Sequence, residues 1–290
     1  MRSVSVVVPA RDEGTRVHDT VCALLPDLPA DGEVVVVDDV STDGSTANLE
    51  AIDPRVCVQH AVTRLGVAAA RNLGARLSSG DLLVFADAHV QPLGAWYEPL
   101  RRCVDAPRVG AAAPVLQDWR GGGRGYGLRM LDVGTSVAWL ERRGARAYDV
   151  PLLPGFFLAV RRRVFVTVGG FDETYSRWGM EDLDLSVRLW TLGYDCLLEP
   201  EVVVRHLAKD DDLPDYQRDW ETNLFNVLAF GATHYGQRRW EELLAFYGDH
   251  QVLPAVVARV EAAGLRDLRE PLRAARLRDD DDLFETCGRG

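Results

Sequence analysis

The strongest constraint on the fold is a repeated alternation between short apolar segments and segments whose apolar residues recur at helical spacing. Strands are predicted at residues 4–8, 34–37, 56–59, 82–85 and 110–115, and Pro9 should end the first of them. Helices are predicted at residues 13–25, from Ser45, at 66–77 and at 94–104. Short apolar strands alternating with helices indicate an α/β fold with a mostly parallel central sheet and helices on both faces.

The second half of the chain predicts a different organisation. Residues 118–127 hold five glycines without apolar periodicity and should form a mobile loop. A strand at 155–160, a helix at 181–192 and strand-like segments at 195–198 and 202–205 follow. That helix carries two apolar stripes, so it should be largely buried. One stripe is Leu183, Val187 and Trp190, and the other is Leu185, Leu189 and Leu192. From Asp215 the pattern is helical, with breaks near Gly236, Gly248 and Gly264. Two units are predicted, at residues 1–210 and 211–290.

Composition and charge exclude several classes of protein. The 290 residues carry a formal net charge of -11, which disfavours general nucleic-acid binding because that requires a basic surface. The five cysteines form no C-x-x-C pair and have no zinc-ligand spacing. The N-terminus shows no secretory leader, and no apolar run approaches the roughly 18 residues that a membrane helix needs. We therefore expect a cytoplasmic protein with no transmembrane segment.

Polar residues follow three of the predicted strands. They occupy residues 9–13, 38–39 and 87–89. In open parallel sheets, ligands bind beyond the carboxyl ends of the strands. This placement predicts a nucleotide site at that edge of the sheet.

Asp87 and His89 are the strongest local indication of chemistry. They lie two residues apart at a strand end, and residues i and i+2 of extended chain point to the same side. A carboxylate beside an imidazole suits a divalent cation such as Mn²⁺. The alternative is a strand-end turn in which Asp87 caps a backbone N–H. His206 follows another predicted strand, and it is a suitable third ligand because two protein ligands alone would leave the metal under-coordinated.

Three further charged positions each allow two interpretations. Glu181 and Asp182 begin the buried helix. They are either ordinary first-turn carboxylates, which the helix dipole favours, or one of them serves as a general base. Asp39, after Asp38, either begins a turn or accepts hydrogen bonds from a nucleotide base and ribose. Arg71 either forms a structural ion pair or balances the carboxylates and a diphosphate.

Five segments in order resemble the family 2 glycosyltransferases, which have the nucleotide-sugar-binding fold called GT-A. They are PARDE, VVDDVSTDGS, TRLGVAAARNLGA, GDLLVFADAH and GFDETYSRWGMEDLDLSVRLWTLGY, within about residues 3–210. The D-x-H triplet, the W-G-x-E segment and His206 also resemble the polypeptide N-acetylgalactosaminyltransferases.

The resemblance implies a role for each matching residue. Asp39 would contact the uracil of a UDP-sugar, and Asp12 and Arg71 would help to hold the nucleotide. Asp87, His89 and His206 would bind Mn²⁺, or Mg²⁺ in its place. The loop carrying Trp178 would close over the donor sugar. The remaining positions assigned to the nucleotide site from the matching segments are Pro9, Arg11, Glu13 and Arg64.

One departure distinguishes the two resemblances and favours the family 2 pattern. The polypeptide enzymes carry Glu-Asn and retain anomeric configuration, whereas Glu181-Asp182 is the family 2 pattern, in which the Asp is the base and configuration inverts. Residues 1–210 would then be the catalytic domain of an inverting, metal-dependent glycosyltransferase. Trp178 and residues 121–123 would form the acceptor wall, and the acceptor is left open among glycan, peptide and small molecule.

Three alternatives remain at this point. They are a retaining enzyme like the polypeptide transferases, a sugar nucleotidyltransferase and a non-catalytic nucleotide-sugar-binding protein. A nucleotidyltransferase needs a glycine-rich basic loop after the first strand, and residues 9–13 do not supply it. A non-catalytic protein would be favoured by loss of Asp182 or of a metal ligand, and all of them are present.

Overall fold

The structure is a computed structural model that describes residues 2–207, 220–268 and 270–288. The predicted domain boundary between residues 210 and 211, and the predicted start of the helical region at Asp215, lie outside these ranges. Within them, no helix is long and apolar enough to cross a bilayer. The cytoplasmic location stays a prediction.

In the part of the chain that the structure describes, twelve strands form one large sheet and one small hairpin. They are β1 (Arg2–Ala10), β2 (Glu33–Asp38), β3 (Val56–His60), β4 (Gly80–Ala86), β5 (Val90–Pro92), β6 (Val109–Asp118), β7 (Arg124–Gly125), β8 (Leu128–Met130), β9 (Val137–Trp139), β10 (Tyr148–Asp149), β11 (Phe157–Arg161) and β12 (Asp195–His206). The large sheet has the order β10-β12-β6-β11-β4-β1-β2-β3, with β5 beside β12 and β7 beside β6, while β8 and β9 form the hairpin.

Eleven α-helices surround these strands in the described ranges. They are α1 (Arg16–Leu24), α2 (Val67–Leu77), α3 (Tyr97–Asp105), α4 (Arg162–Thr167), α5 (Glu181–Thr191), α6 (Trp220–His234), α7 (Gln237–Phe246), α8 (Leu253–Ala262), α9 (Leu265–Leu268), α10 (Glu270–Ala274) and α11 (Asp280–Gly288). Short 3-10 turns occur at Leu25–Asp27 and Leu49–Ala51.

The predicted mostly parallel sheet is confirmed for its long strands. β1, β2, β3, β4, β6 and β12 run in one direction, and β11 alone among the long strands runs against its neighbours β4 and β6. Pro9 was expected to end β1, but the strand continues to Ala10. Its pairing with β4 stops at Val7, while its pairing with β2 extends to Ala10. The carboxyl ends of β1, β2 and β4 therefore share one edge, as the strand-end residues predicted.

Alternation along the strands builds a core on each face of the sheet. Val4, Val6 and Val8 of β1 face one cluster, which α1 and α3 cover. Val7 of β1 faces the other cluster, which includes residues of α2, α4 and α5. Because residues i and i+2 of a strand share a face, the near-continuous valine run buries both sides of β1.

Helix α5 joins the sheet to the C-terminal helices, and its two predicted stripes explain how. Leu185 and Leu189 pack into the sheet core. Leu183, Val187 and Trp190 pack into a third cluster with α6, α7, α8 and the β8–β9 hairpin. The N-terminus of α5 is therefore held from two sides, which fixes the position of Glu181 and Asp182.

Three local predictions were wrong. The helix expected from Ser45 is absent, because Asp12 and Asp43 accept backbone N–H groups of Thr42 and Ser45 and so hold a polar turn. Residues 118–127 are partly strand, since Arg124–Gly125 pairs with β6. The two segments at 195–198 and 202–205 form the single strand β12, with an irregularity between Glu199 and Val203.

Candidate active site

A cavity of about 290 Å³ opens at the carboxyl edge of the sheet. All the predicted site residues except Asp12 and residues 121–123 line it: Pro9, Arg11, Glu13, Asp39, Arg64, Arg71, Asp87, His89, Trp178, Glu181, Asp182 and His206. They come from four strand ends and from the segments that begin α2 and α5. The cavity therefore brings the candidate nucleotide, metal and acid–base residues into one site.

Asp87, His89 and His206 form a cluster in which one ligand atom from each lies within 4.8 Å of the others. Asp87 and His89 lie in the turn after β4, so the extended geometry expected for this pair is wrong and the turn brings them together. His206 ends β12, which pairs with β5 in the register His206 to Val90. Its Nε2 lies 3.2 Å from Asp87 Oδ2.

This cluster fits a divalent transition-metal ion. One carboxylate and two imidazoles suit Mn²⁺ or Zn²⁺ better than Ca²⁺, which prefers oxygen ligands. Three protein ligands beside an open cavity leave positions for substrate and water, as catalytic metal sites do. Glu13 is buried in the segment that follows β1, and its Oε2 lies 3.2 Å from His89 Nδ1, so it can orient that ring and leave Nε2 for a metal.

Neighbouring charges and hydrogen bonds shift the pKa values of Asp87 and His89. Burial by itself lowers the pKa of His89, but the hydrogen bond to Glu13 and the negative charge of Asp87 raise it above its usual value. Burial raises the pKa of Asp87, yet the His206 hydrogen bond and the Arg71 charge hold it well below the usual range. Asp87 is thus ionised and available to a cation, whereas a proton would compete with a metal at His89.

Arg71 connects the metal cluster to the carboxylates of α5. The residue is 2% exposed, and its guanidinium donates to Asp87 Oδ1 at 2.7 Å, to Glu181 Oε1 at 3.2 Å and to the Gly155 carbonyl at 2.8 Å. A buried cation stabilises ionised carboxylates around it. Arg71 is therefore paired with the carboxylates, as both interpretations of this residue require.

Glu181 and Asp182 lie at the N-terminus of α5, where Met180 takes a left-handed conformation with φ of 77°. Asp182 accepts the Gly155 N–H at 2.8 Å on Oδ2 and the Leu183 N–H at 2.9 Å on Oδ1. Burial raises the pKa of both carboxyl groups, and for Glu181 the adjacent Asp182 charge raises it further. A carboxylate with a raised pKa is a stronger base, which suits proton abstraction.

The opposite end of the cavity is formed by β1, β2 and the start of α2. Asp39 is buried and accepts the N–H groups of Leu65 at 2.5 Å and Gly66 at 3.0 Å. Arg11 Nη1 donates to the Asp39 carbonyl at 2.6 Å. Asp12 lies outside the cavity wall, and its carboxylate accepts the Thr42 N–H at 2.6 Å. Asp12 therefore supports the adjacent loop.

Comparison with known proteins identifies the family of this chain. The family described as "Glycosyl transferase family 2" matches residues 5–169. The chain belongs to this family. A second family, described as "N-terminal domain of galactosyltransferase", matches residues 146–210.

Two curated relatives are similar over most of this chain. Polypeptide N-acetylgalactosaminyltransferase 5 of Rattus norvegicus is 27% identical over 244 residues, which is 76% of this chain and 26% of the relative. Polypeptide N-acetylgalactosaminyltransferase 8 of Drosophila melanogaster is 30% identical over 226 residues, which is 72% of this chain and 38% of the relative. The chain thus spans well under two thirds of the length of these relatives.

Two solved structures share the fold. GalNAc-T7, solved with UDP, GalNAc and Mn²⁺, superposes with a TM-score of 0.79 at 20% identity, covering 98% of this chain and 56% of that one. A mannosyltransferase from Pyrobaculum calidifontis, solved with GDP-Man and Mn²⁺, gives 0.54 at 17% identity, covering 99% and 86%. The predicted GT-A fold is confirmed, and as a family 2 member this chain shares it with both.

One wall of the cavity was not predicted from the sequence. Leu128, Val137 and Trp139 of the β8–β9 hairpin line it, whereas residues 121–123, expected in the acceptor wall, do not. A side chain at Gly125 would meet the Trp139 ring at 2.1 Å, so the missing Cβ makes room for that ring. The alternation of Leu128 with Met130 and of Val137 with Trp139 could have predicted the hairpin.

Proposed function

We propose that this family 2 member transfers a sugar from a UDP-sugar to an acceptor hydroxyl, with a divalent metal ion and with inversion at the anomeric carbon. The observation that carries the proposal is a single cavity in which Arg71 lies between a candidate metal ligand, Asp87, and the carboxylates of α5. Sugar transfer needs stabilisation of the departing diphosphate at one end of the site and a base for the acceptor hydroxyl at the other. Asp87 lies at the first end and the carboxylates of α5 lie at the second.

Asp87, His89 and His206 would hold the metal, with Glu13 orienting His89. Mn²⁺ fits better than Mg²⁺ because imidazole is a good ligand for the former and a poor one for the latter. When bound, such an ion neutralises the negative charge that builds on a departing diphosphate.

Asp182 is the proposed base. It takes the proton of the acceptor hydroxyl as that oxygen bonds to the anomeric carbon, and the bond from that carbon to the diphosphate oxygen breaks, so that UDP leaves with the electron pair. The hydrogen bonds from Gly155 and Leu183 orient the Asp182 carboxylate for this step. Glu181 pairs with Arg71 and so holds the cation beside the reacting groups.

Asp39 is the proposed contact to the uracil, with Pro9, Arg11 and Arg64 on the same wall. An ionised carboxylate offers about four acceptor positions, so about two remain after the hydrogen bonds from Leu65 and Gly66. A charge-assisted hydrogen bond contributes about 1.5–3 kcal/mol, so UDP should bind roughly tenfold to a hundredfold more tightly than GDP. Calorimetry that shows tighter GDP binding would reject the assignment of Asp39.

The experiment that tests this function is a donor panel. The protein is incubated with UDP-, GDP- and TDP-sugars, with and without candidate glycan, peptide and small-molecule acceptors, and released nucleotide is measured. We expect release from a UDP-sugar in Mn²⁺, little in Ca²⁺ and none in excess chelator. Tight UDP-sugar binding with no release from any donor would instead support a non-catalytic binding protein. Full activity in excess chelator would contradict the metal site.

A further inference from the structure

The loop before α5 places Trp178 on the cavity wall in a conformation that needs support. Arg177 has φ of 62° and Met180 has φ of 77°, in the left-handed region that side chains other than glycine rarely adopt. Such conformations persist only where the surroundings hold them. Trp178 itself is 42% exposed, so burial of its own ring does not supply that support.

One side chain from the C-terminal helices contacts this loop at four backbone groups. Asn226 of α6 is 2% exposed. Its Nδ2 donates to the carbonyls of Ser176 at 3.1 Å, Trp178 at 3.2 Å and Gly179 at 3.3 Å. The Ser176 N–H donates to Asn226 Oδ1 at 3.2 Å. A side-chain amide suits this position because it presents a donor group and an acceptor together.

The other side of the loop rests on the start of α2. The Val67 N–H donates to the Arg177 carbonyl at 3.1 Å. A Cβ at Gly66 would lie 3.2 Å from the Arg177 nitrogen, so the two segments approach closely there. The loop is therefore held between the α2 segment that Asp39 caps and the C-terminal helix α6.

We propose that Asn226 is a positioning residue that fastens residues 176–179 so that Trp178 stays on the cavity wall. Through it, the C-terminal helices help to shape the donor site of the catalytic domain. The fastening itself is a property of the folded chain, while its effect on turnover rests on the function proposed above. The two parts are tested by separate measurements.

The fastening is tested by limited trypsin digestion, because Arg177 is exposed within the loop. Asn226→Asp keeps the size and one acceptor but replaces the donor with a charge that faces three carbonyls. Asn226→Ala removes the amide without adding a charge. Thr233→Val is the matched control, since it removes a buried hydrogen bond that stays within α6.

Cleavage after Arg177 is quantified by mass spectrometry relative to cleavage after Arg143, which lies in an exposed loop and forms hydrogen bonds with Tyr148 and Asp149. We expect this ratio to rise about tenfold or more in both Asn226 variants and to stay within twofold in Thr233→Val. In the unaltered protein, the Ser176 amide should exchange with deuterium more slowly than the amides of residues 141–146. An unchanged ratio, or equally fast exchange, would overturn the proposal.

The effect on catalysis is tested with a double-mutant cycle. If Asn226 acts through Trp178, Asn226→Ala should raise the KM for the donor about tenfold, and Trp178→Ala should add little to it. Additive effects of the two changes on KM would overturn the proposed route through Trp178. If no donor is turned over by the unaltered protein while the trypsin ratio still rises, the proposed function fails and the fastening stands.

Discussion

Replacing Gly155 with alanine tests how closely the base is positioned. The added Cβ would lie 2.8 Å from Asp182 Cβ, 3.1 Å from Asp182 Oδ2 and 3.1 Å from Arg71 Nη1. Carbon atoms in contact usually lie about 3.5–4.0 Å apart, so the first distance is short by roughly 0.7 Å or more. Gly155 and Asp182 must therefore move apart, and the 2.8 Å hydrogen bond between them must lengthen or break.

The magnitude follows from that displacement. A shift of about 1 Å in a positioned catalytic group can lower turnover by about 10²-fold. Overpacking of this size typically destabilises a fold by about 1–3 kcal/mol, which a domain of ordinary stability tolerates. We therefore expect a folded Gly155→Ala variant whose turnover falls by about 10–10²-fold and whose affinity for UDP changes by less than about threefold.

Turnover is measured as released nucleotide under saturating donor and Mn²⁺, and UDP affinity is measured by calorimetry. Gly94→Ala is the matched control, because Gly94 is exposed, its φ is not positive and a Cβ there meets nothing within 4 Å. Unaltered turnover in Gly155→Ala would refute the reasoning. An equal loss in Gly94→Ala would show that the effect is not specific to the contact with Asp182.

Four further predictions follow from other contacts in the structure. His206→Ala should weaken Mn²⁺ binding about 10²-fold or more by electron paramagnetic resonance titration; unchanged affinity would remove His206 from the metal site. Asp182→Asn should lower turnover by about 10²–10⁴-fold with UDP and Mn²⁺ binding within a few-fold. Because burial raises the pKa of Asp182 and the base acts when ionised, turnover of the unaltered protein should rise with pH through a value above the usual aspartate range, at saturating Mn²⁺; a profile that is flat there would contradict this role. Asp184→Asn should lower the free energy of unfolding by about 3–5 kcal/mol in urea denaturation, because it leaves buried Arg188 and His234 without their carboxylate; a loss under about 1 kcal/mol would contradict that account.

The lowered pKa of Asp184 also makes the free energy of unfolding depend on pH. Burial raises its pKa, but the charge of Arg188 and the hydrogen bond from His234 lower it below the usual value. A carboxyl group whose folded pKa lies below its unfolded value stabilises the fold above the unfolded pKa of about 4. This contribution should therefore be lost as the pH falls below that value.

Residues that share a periodicity or a strand end were predictable from the sequence. Strand ends share an edge of a parallel sheet, so Asp39 and Asp87 could be placed together without knowledge of any loop. The two apolar stripes of α5 also predicted correctly that this helix is largely buried. In each case a local pattern in the chain determines which side of an element becomes buried.

Contacts between segments far apart in the chain were not predictable. Asn226 lies within an apolar helix, and nothing in its neighbourhood indicates that it reaches backbone groups near residue 178. Trp139 enters the cavity because Gly125 leaves room for its ring, which is a relation between two strands. The turn after β4 also brings Asp87 and His89 together by a geometry that a period-two pattern does not describe.

The stereochemistry of the product tests the central claim most directly. The first spectra of a reaction with an α-linked UDP-sugar are recorded by NMR, with water or an accepted hydroxyl compound as acceptor, before any released sugar can equilibrate its anomers. If Asp182 acts as base in a single displacement, the anomeric proton of the initial product shows the coupling of the β configuration. An initial product in the α configuration would contradict both the inverting reaction and the role of Asp182.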